Sequence, residues 1–125
     1  MNIKKTFLIL LIIGLAACML MSSGITYYSG APRFSPTSSD AVVLLRDIPS
    51  QSYVKLGEAW VKPEPSWSAS YVETQLRQKA ASLGANALVI IYDQYFPGGQ
   101  VVPGFGQGVQ MQPKNGVAGV AIRYQ

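Results

Sequence analysis

The chain has 125 residues, enough for one domain, and 49% of them are hydrophobic, as in a protein that folds. Ten Lys and Arg stand against six Asp and Glu, which is too small and scattered an excess to predict nucleic acid as a partner. The absence of histidine excludes catalysis by a serine or cysteine with a histidine base. With a single cysteine there is no internal disulfide, and we expect neither a metal nor another cofactor.

The first 18 residues have the order of a bacterial export signal. Lys4 and Lys5 form a positive start, residues 7–13 are unbroken apolar, and residues 15–18 read Leu-Ala-Ala-Cys. We predict that residues 1–17 are a cleaved signal. The alternatives are an uncleaved membrane helix or an ordinary signal followed by an incidental cysteine. The membrane-helix alternative is disfavoured because the apolar stretch is interrupted by Gly14 and is shorter than the roughly 20 residues that a membrane span needs.

Residues 15–18 resemble the lipobox of bacterial lipoproteins at all four positions. The resemblance implies that the Cys18 sulfur receives a diacylglyceryl group and that two or three acyl chains anchor the protein in a membrane. Met19 stands where an Asp commonly retains such proteins at the inner membrane. In a Gram-negative envelope this implies the outer membrane, facing the periplasm; in a Gram-positive one it implies the outside of the cell membrane.

Residues 18–39 are rich in Ser, Gly, Pro and Thr and show no periodicity, which predicts a flexible tether behind the lipidated cysteine. The segment also contains three aromatic residues, which a pure linker does not require: Tyr27, Tyr28 and Phe34. They either lie against lipid headgroups or the domain, or dock to a partner.

Two β-rich runs follow, at residues 41–46 and 53–62, separated by a turn signal. Gly57, in the middle of the second run, predicts a bulge or a close backbone contact.

A helix is predicted next. Ser70 and Glu73 have the spacing of a capping box, with Ser66 or Ser68 as alternative caps. One apolar stripe at helical spacing predicts the buried face, and Gly84 predicts the end of the helix. The stripe comprises Val72, Leu76, Ala80 and Leu83.

Residues 85–92 and 116–124 read as two further strands. The result is an α+β fold of order β-β-α-β-β over a single domain at residues 40–125, with one helix packed on a mixed sheet. A strand, helix and strand with short joints imply a right-handed parallel crossover between residues 53–62 and 86–92.

The segment at residues 95–115 is rich in glycine and proline, and a loop of this length is either functional or disordered. Its apolar side chains favour ordering upon a partner, with Tyr95, Phe96 and Phe105 as candidate contacts. The alternative is that these side chains fold back over the open face of the sheet.

Residues 54–58, Val-Lys-Leu-Gly-Glu, and the run Leu-Gly-Ala-Asn-Ala at 83–87 resemble two groups of small proteins. One is the outer-membrane lipoprotein that senses envelope stress for the Rcs phosphorelay; the other is the YbjQ-type family. The resemblance covers residues 41–92 and implies a shared fold. The stress sensor's paired cysteines are missing, so no functional residue is carried over.

These observations predict a lipid-anchored envelope protein that acts as a non-enzymatic interaction or sensor module, with another envelope protein as its partner. The alternative is a small-ligand binder or a carboxylate-based hydrolase of the periplasm. No motif supports the hydrolase. Its candidate acids would come from Asp40, Asp47, Glu58, Glu64, Glu73 and Asp93.

Overall fold

The computed structural model describes residues 23–107 and 112–125. It contains five strands, one α-helix and a short 3-10 helix at Ser39–Ala41. In chain order the elements are β1 (Ser23–Tyr27), β2 (Val43–Leu45), β3 (Tyr53–Val61), α1 (Ala69–Ser82), β4 (Ala87–Asp93) and β5 (Val117–Tyr124). The signal sequence and Cys18 lie outside the described residues, so their assignments stay predictions.

The strands form one mixed sheet in the order β1-β3-β5-β4-β2. Only β2 and β4 pair in parallel; the other three neighbouring pairs are antiparallel. Strands β3 and β4 therefore run in the same direction with β5 between them, and α1 makes the connection. The predicted α+β class, with one helix on a mixed sheet, is confirmed, and so is the parallel sense of the crossover.

Strand β1 corrects the predicted tether, because it lies within residues 18–39 and pairs with β3 from Ser23↔Val61 to Tyr27↔Gly57. A side chain at Gly24 would meet the Trp60 indole at 2.8–2.9 Å, and one at Gly57 would meet the Thr26 carbonyl. The two glycines thus let β1 approach β3. Gly24, which the composition of the segment assigned to a linker, is required here by packing against Trp60.

Helix α1 begins two residues earlier than the capping box predicted. Ser68 is the N-cap: its backbone is extended and its hydroxyl accepts a hydrogen bond from the Tyr71 amide at 3.2 Å. Glu73 instead lies 3.9 Å from Arg77 in an exposed ion pair. The alternative cap is therefore correct, and the Ser70 box is wrong. At the other end, Gly84 has a φ of +83°, as predicted.

The helix covers one face of the sheet with the predicted stripe. Leu76 and Leu83 are 0% and 1% exposed, so both are core residues. This helix-side core is completed by apolar positions of the strands and their flanks. It comprises Val42, Leu56, Ala59, Val61, Val72, Leu76, Ala80, Ala81, Leu83, Ala85, Leu88, Ile90, Val117 and Ala121.

The opposite face of the sheet is covered by chain segments without regular structure. Tyr28, just after β1, and Phe105, from the long loop, are buried against it, and Val102 packs beside them. The sheet contributes Ala87, Val89, Val120 and Ile122 to this second core. Val102 and Phe105 of the 95–115 loop therefore fold back over the open face of the sheet, in agreement with the alternative interpretation. Residues 108–111 lie outside the described residues.

Within residues 23–107 and 112–125, no helix has the length and apolarity needed to cross a membrane.

Candidate functional site

A carboxylate is buried in the second core. Glu58, on the interior strand β3, is 1% exposed over the whole residue. The Tyr28 hydroxyl donates a 2.7 Å hydrogen bond to its Oε2 atom. Its Oε1 atom has no hydrogen-bond partner among the described residues. A buried polar atom without a partner costs free energy, so Glu58 is a position that demands a functional or structural reason.

A bulge in β3 puts Lys55 on the same face as Glu58. Lys55 pairs with Ile122 and Glu58 with Val120, whereas Gly57 pairs with Ala121, so one residue of β3 is extra. In a regular strand, residues three apart point to opposite faces. The bulge that Gly57 predicted is confirmed, and its effect is to direct a cation and an anion toward the segment that covers this face.

The 102–107 segment closes over both side chains. The Lys55 ammonium donates to the Phe105 carbonyl at 2.6 Å and lies 4.0 Å from the centre of the Phe105 ring. The Gln107 amide donates to the Tyr28 hydroxyl at 3.3 Å. A side chain at Gly106 would lie 3.2 Å from Glu58 Oε2, so the backbone passes directly over the carboxylate.

The surroundings of Tyr28 hold its hydroxyl in the neutral form. Burial raises the pKa of this phenol above the ordinary 10.0, and the hydrogen bond to the Glu58 carboxylate and its charge raise the pKa further. Tyr28 is thus a stable donor to Glu58, not a candidate nucleophile or base at neutral pH.

A cleft of about 450 Å³ opens beside this pair. Its walls include Tyr28, Lys55, Tyr53 and Gln107, and residues 29–32 form its rim. Lys55 is the cation of this wall, so the cleft can accommodate a small anionic or polar molecule.

A second concavity, of about 540 Å³, lies on the helix side between α1 and β2. We call it the edge groove. It is lined by Asp40, Val42, Val43, Leu44, Arg46, Glu73, Leu76, Arg77, Ile90 and Phe96. Apolar groups and charged groups of both signs line it together.

The edge groove lies beside an open strand edge. Strand β2 is at the end of the strand order, and Val43 is 55% exposed. The Val43 amide donates to the Asn86 carbonyl at 3.1 Å. Because backbone groups alternate in direction along a strand, those of Leu44 point away from β4 and toward the open edge.

One end of the edge groove is fixed by Asp93, whose side chain is 1% exposed. Its Oδ2 atom accepts a 2.9 Å hydrogen bond from Arg46, which also donates to the Gln100 carbonyl at 3.0 Å. Its Oδ1 atom accepts from the amides of Tyr95 and Phe96 at 2.9 and 2.8 Å. The start of the long loop is therefore clamped against β2.

The predicted partner contacts are not brought together. Tyr95 and Phe96 are half-buried, pack edge to face at 4.8 Å and contact the helix-side core, and Phe96 reaches the edge groove. Phe105 is only 6% exposed and lies on the other face, so its assignment as a partner contact is corrected: it covers the sheet. Cys18, the predicted lipidation site, is outside the described residues.

The acids of the hydrolase alternative do not form one cluster, although Asp40 and Glu73 line the same groove. Glu58 is on the loop-covered face, Asp93 is held by Arg46, and Asp40 and Glu73 line the edge groove. Across residues 23–107 and 112–125, no three acids or cysteines gather as metal ligands would. The Tyr28–Glu58 pair was not predicted from the sequence. Its signal was a glutamate beside a glycine, within a strand whose other residues apart from Lys55 are apolar or aromatic.

Comparison of the chain with family models, curated proteins and solved structures finds no match in any of the three.

Proposed function

We propose that the protein is a lipid-anchored module of the cell envelope that binds an extended segment of another envelope protein in the edge groove. The observation that carries the proposal is the position of this groove, beside the open edge of β2 and under α1. An extended peptide can add to such an edge through main-chain hydrogen bonds while its alternate side chains enter the groove.

The groove has the features that this mode of binding requires. The outward backbone groups of Leu44 supply a donor and an acceptor, and Val43 supplies exposed apolar surface. Leu76 and Ile90 form an apolar floor that can receive one side chain of the peptide. Arg77 and Glu73, only loosely paired at 3.9 Å, flank it with charges that a partner can compete for.

The envelope location rests on the lipobox at residues 15–18. Cys18→Ser should abolish labelling with a radioactive or clickable fatty acid and release the protein from the membrane fraction, because it removes the thiol that carries the lipid. Ser22→Ala is the matched control and should leave labelling unchanged. Persistence of the Cys18→Ser protein in membranes after a high-salt wash would contradict the anchor.

Peptide binding is tested by photocrosslinking in cells. A photoreactive amino acid at Val43 should capture a discrete envelope protein, whereas the same amino acid at Gln78, exposed on the outer face of α1, should not. In a second variant, Val43→Lys blunts the strand edge while retaining the backbone, and should abolish capture from a crosslinker at Arg77. Equal capture from Val43 and Gln78 would rule out the groove.

A second candidate is the binding of a small anionic molecule in the cleft beside Lys55. The Lys55 ammonium has three donors and uses one of them on the Phe105 carbonyl, so donors remain for a ligand in the cleft. A small anionic metabolite that raises the melting temperature of the wild type, and fails to raise that of Lys55→Met, would support this candidate. A shift of equal size in both would exclude it.

A further inference from the structure

One end of the sheet gathers the start of β1, the end of β3, the end of β4 and the start of β5. Register pairs Ser23 with Val61, Val61 with Val117, and Asp93 with Val117. Helix α1 also begins at this end, because the Tyr95 hydroxyl reaches the Trp67 carbonyl at 3.5 Å. We call this end, with the exposed or half-exposed side chains of Lys62, Trp67, Tyr71 and Lys114, the anchor pole.

The covalent chain limits how far the anchor pole can lie from the membrane. Ser23 comes five positions after Cys18, and five residues span at most about 18 Å even when fully extended. Ser23 is itself fixed by pairing with β3. Since residues 23–39 belong to the domain, the long flexible tether that would have let the domain turn freely is absent from the described chain.

The side chains of the anchor pole suit a lipid surface. Lys62 and Lys114 are exposed, and neither makes an ion pair or hydrogen bond with the rest of the described chain. Trp67 and Tyr71 stack edge to face at 4.8 Å, and Tyr71 is 44% exposed. Lysines and amphipathic aromatic rings are the groups that proteins place at the headgroup level. Glu64 is the one acid exposed among them.

Three cations near the opposite end of the sheet are engaged within the protein, and the fourth, Lys79 in the last turn of α1, is half-buried. Arg123 donates to the Gly84 carbonyl at 3.0 Å and stacks on Phe34, and Arg33 lies 3.5 Å from the centre of the Tyr27 ring. Lys55 is held by the Phe105 carbonyl. The anchor pole therefore presents two exposed lysines without internal partners, whereas three of the four cations near the opposite end have an internal contact.

We infer that the anchor pole rests on the bilayer, with Lys62 and Lys114 against anionic phospholipid headgroups and Trp67 and Tyr71 at the interface. The inference rests on the lipid anchor of the proposed function. The nine residues of β3 then stand away from the membrane and place the opposite end about 30 Å further out. The edge groove lies along the side of this upright sheet, open to a partner that approaches parallel to the membrane.

The test uses the full-length, lipidated protein in vesicles of phosphatidylethanolamine with about one quarter phosphatidylglycerol. Cys18 is the single cysteine and carries the lipid, so one introduced cysteine is the only free thiol. Ser66→Cys marks the anchor pole and Ser52→Cys the opposite end; both serines are exposed. Each is labelled with a fluorophore, and quenching by headgroup-spin-labelled lipid is measured.

Quenching should be several-fold stronger at position 66 than at position 52. Introducing Lys62→Glu and Lys114→Glu together should reduce the difference, and so should about 0.5 M salt, because both weaken attraction to anionic headgroups. Inserting ten Gly and Ser residues before Ser23 should reduce it as well.

Equal quenching at the two positions, with the protein still floating with the vesicles, would overturn the orientation and leave the anchor intact. Failure of both labelled proteins to float would overturn the anchor, and the orientation with it.

Discussion

The Tyr28 hydroxyl and the Glu58 carboxylate, 30 positions apart, meet through a 2.7 Å hydrogen bond in the second core. Tyr28 follows β1 directly, and its own amide donates to the Leu56 carbonyl at 3.0 Å. The pair therefore ties the end of the edge strand β1 to the neighbouring strand β3. The Gln107 amide donates a hydrogen bond to the same hydroxyl, so the loop that covers this face is also connected to the pair.

Removal of the Tyr28 hydroxyl should destabilise the domain and change its response to alkali. Tyr28→Phe leaves Glu58 buried without its donor, so the free energy of unfolding near pH 7 should fall by at least about 2 kcal/mol. Urea titrations at pH 7 measure it. Tyr27→Phe, at an exposed ring of the same strand, is the matched control and should change stability by less than about 0.5 kcal/mol.

The sign of the pH effect follows from the raised pKa of Tyr28. The folded protein keeps the phenol neutral at a pH where the unfolded chain, with an ordinary pKa near 10.0, ionises it. The contribution is therefore complete below pH 10 and decreases above it by about 1.4 kcal/mol per pH unit. Wild type should lose more stability than Tyr28→Phe between pH 9 and pH 11. Parallel losses would contradict the buried, neutral assignment.

The helix face is tested at Leu76, which is 0% exposed. Leu76→Ala should lower the free energy of unfolding by about 2–5 kcal/mol, because it removes buried methyl groups and leaves a cavity. In so small a domain this is enough to unfold a large fraction of the protein. Gln78→Ala, two residues on and exposed, is the control. Thermal melts of the two variants that coincide would mean that the helix buries another face.

The helix and the central strands could be predicted because their signals are local. The stripe from Val72 to Leu83 is fixed by spacing alone, and Gly84 ends the helix because its positive φ disfavours other residues. Gly57 was likewise interpretable, since a glycine inside an apolar strand has few other causes. These features depend on neighbours within a few positions of the chain.

Strand β1 and the loop cover could not be predicted in this way. Gly24 is explained only by Trp60, and Tyr28 only by Glu58, so each signal is completed by a residue more than 25 positions away. The glycines around Phe105 indicated flexibility, but Gly106 is needed for close packing because its backbone passes over the Glu58 carboxylate. Composition alone predicts a loop wherever glycine is frequent. It does not distinguish a glycine that makes the backbone flexible from one that lets a neighbouring group approach closely.

The approach of β1 to β3 is tested by a double-mutant cycle. Gly24→Ala should destabilise by about 1–3 kcal/mol, because the new methyl group would meet the Trp60 indole near 2.8 Å. In a Trp60→Ala background the same change should cost far less, since the indole is gone. The coupling is measured from four urea titrations. Additive costs would show that Gly24 serves the backbone and does not accommodate Trp60.

The clamp at Asp93 should depend on its oxygen atoms more than on its charge. Asp93→Ala removes the acceptor for the amides of Tyr95 and Phe96 and for Arg46, and should lower the free energy of unfolding by about 2–4 kcal/mol.

Asp93→Asn retains a carbonyl oxygen that can take the place of Oδ1, and loses the charge-assisted bond to Arg46, which is itself 32% exposed and can be rehydrated. We therefore expect its loss to be about half that of Asp93→Ala. Amide hydrogen exchange at Tyr95 and Phe96 separates the two contributions: protection should persist in Asp93→Asn and disappear in Asp93→Ala. If Asp93→Asn is as damaging as Asp93→Ala and exposes both amides, the ion pair with Arg46, and not the turn, holds the loop against β2.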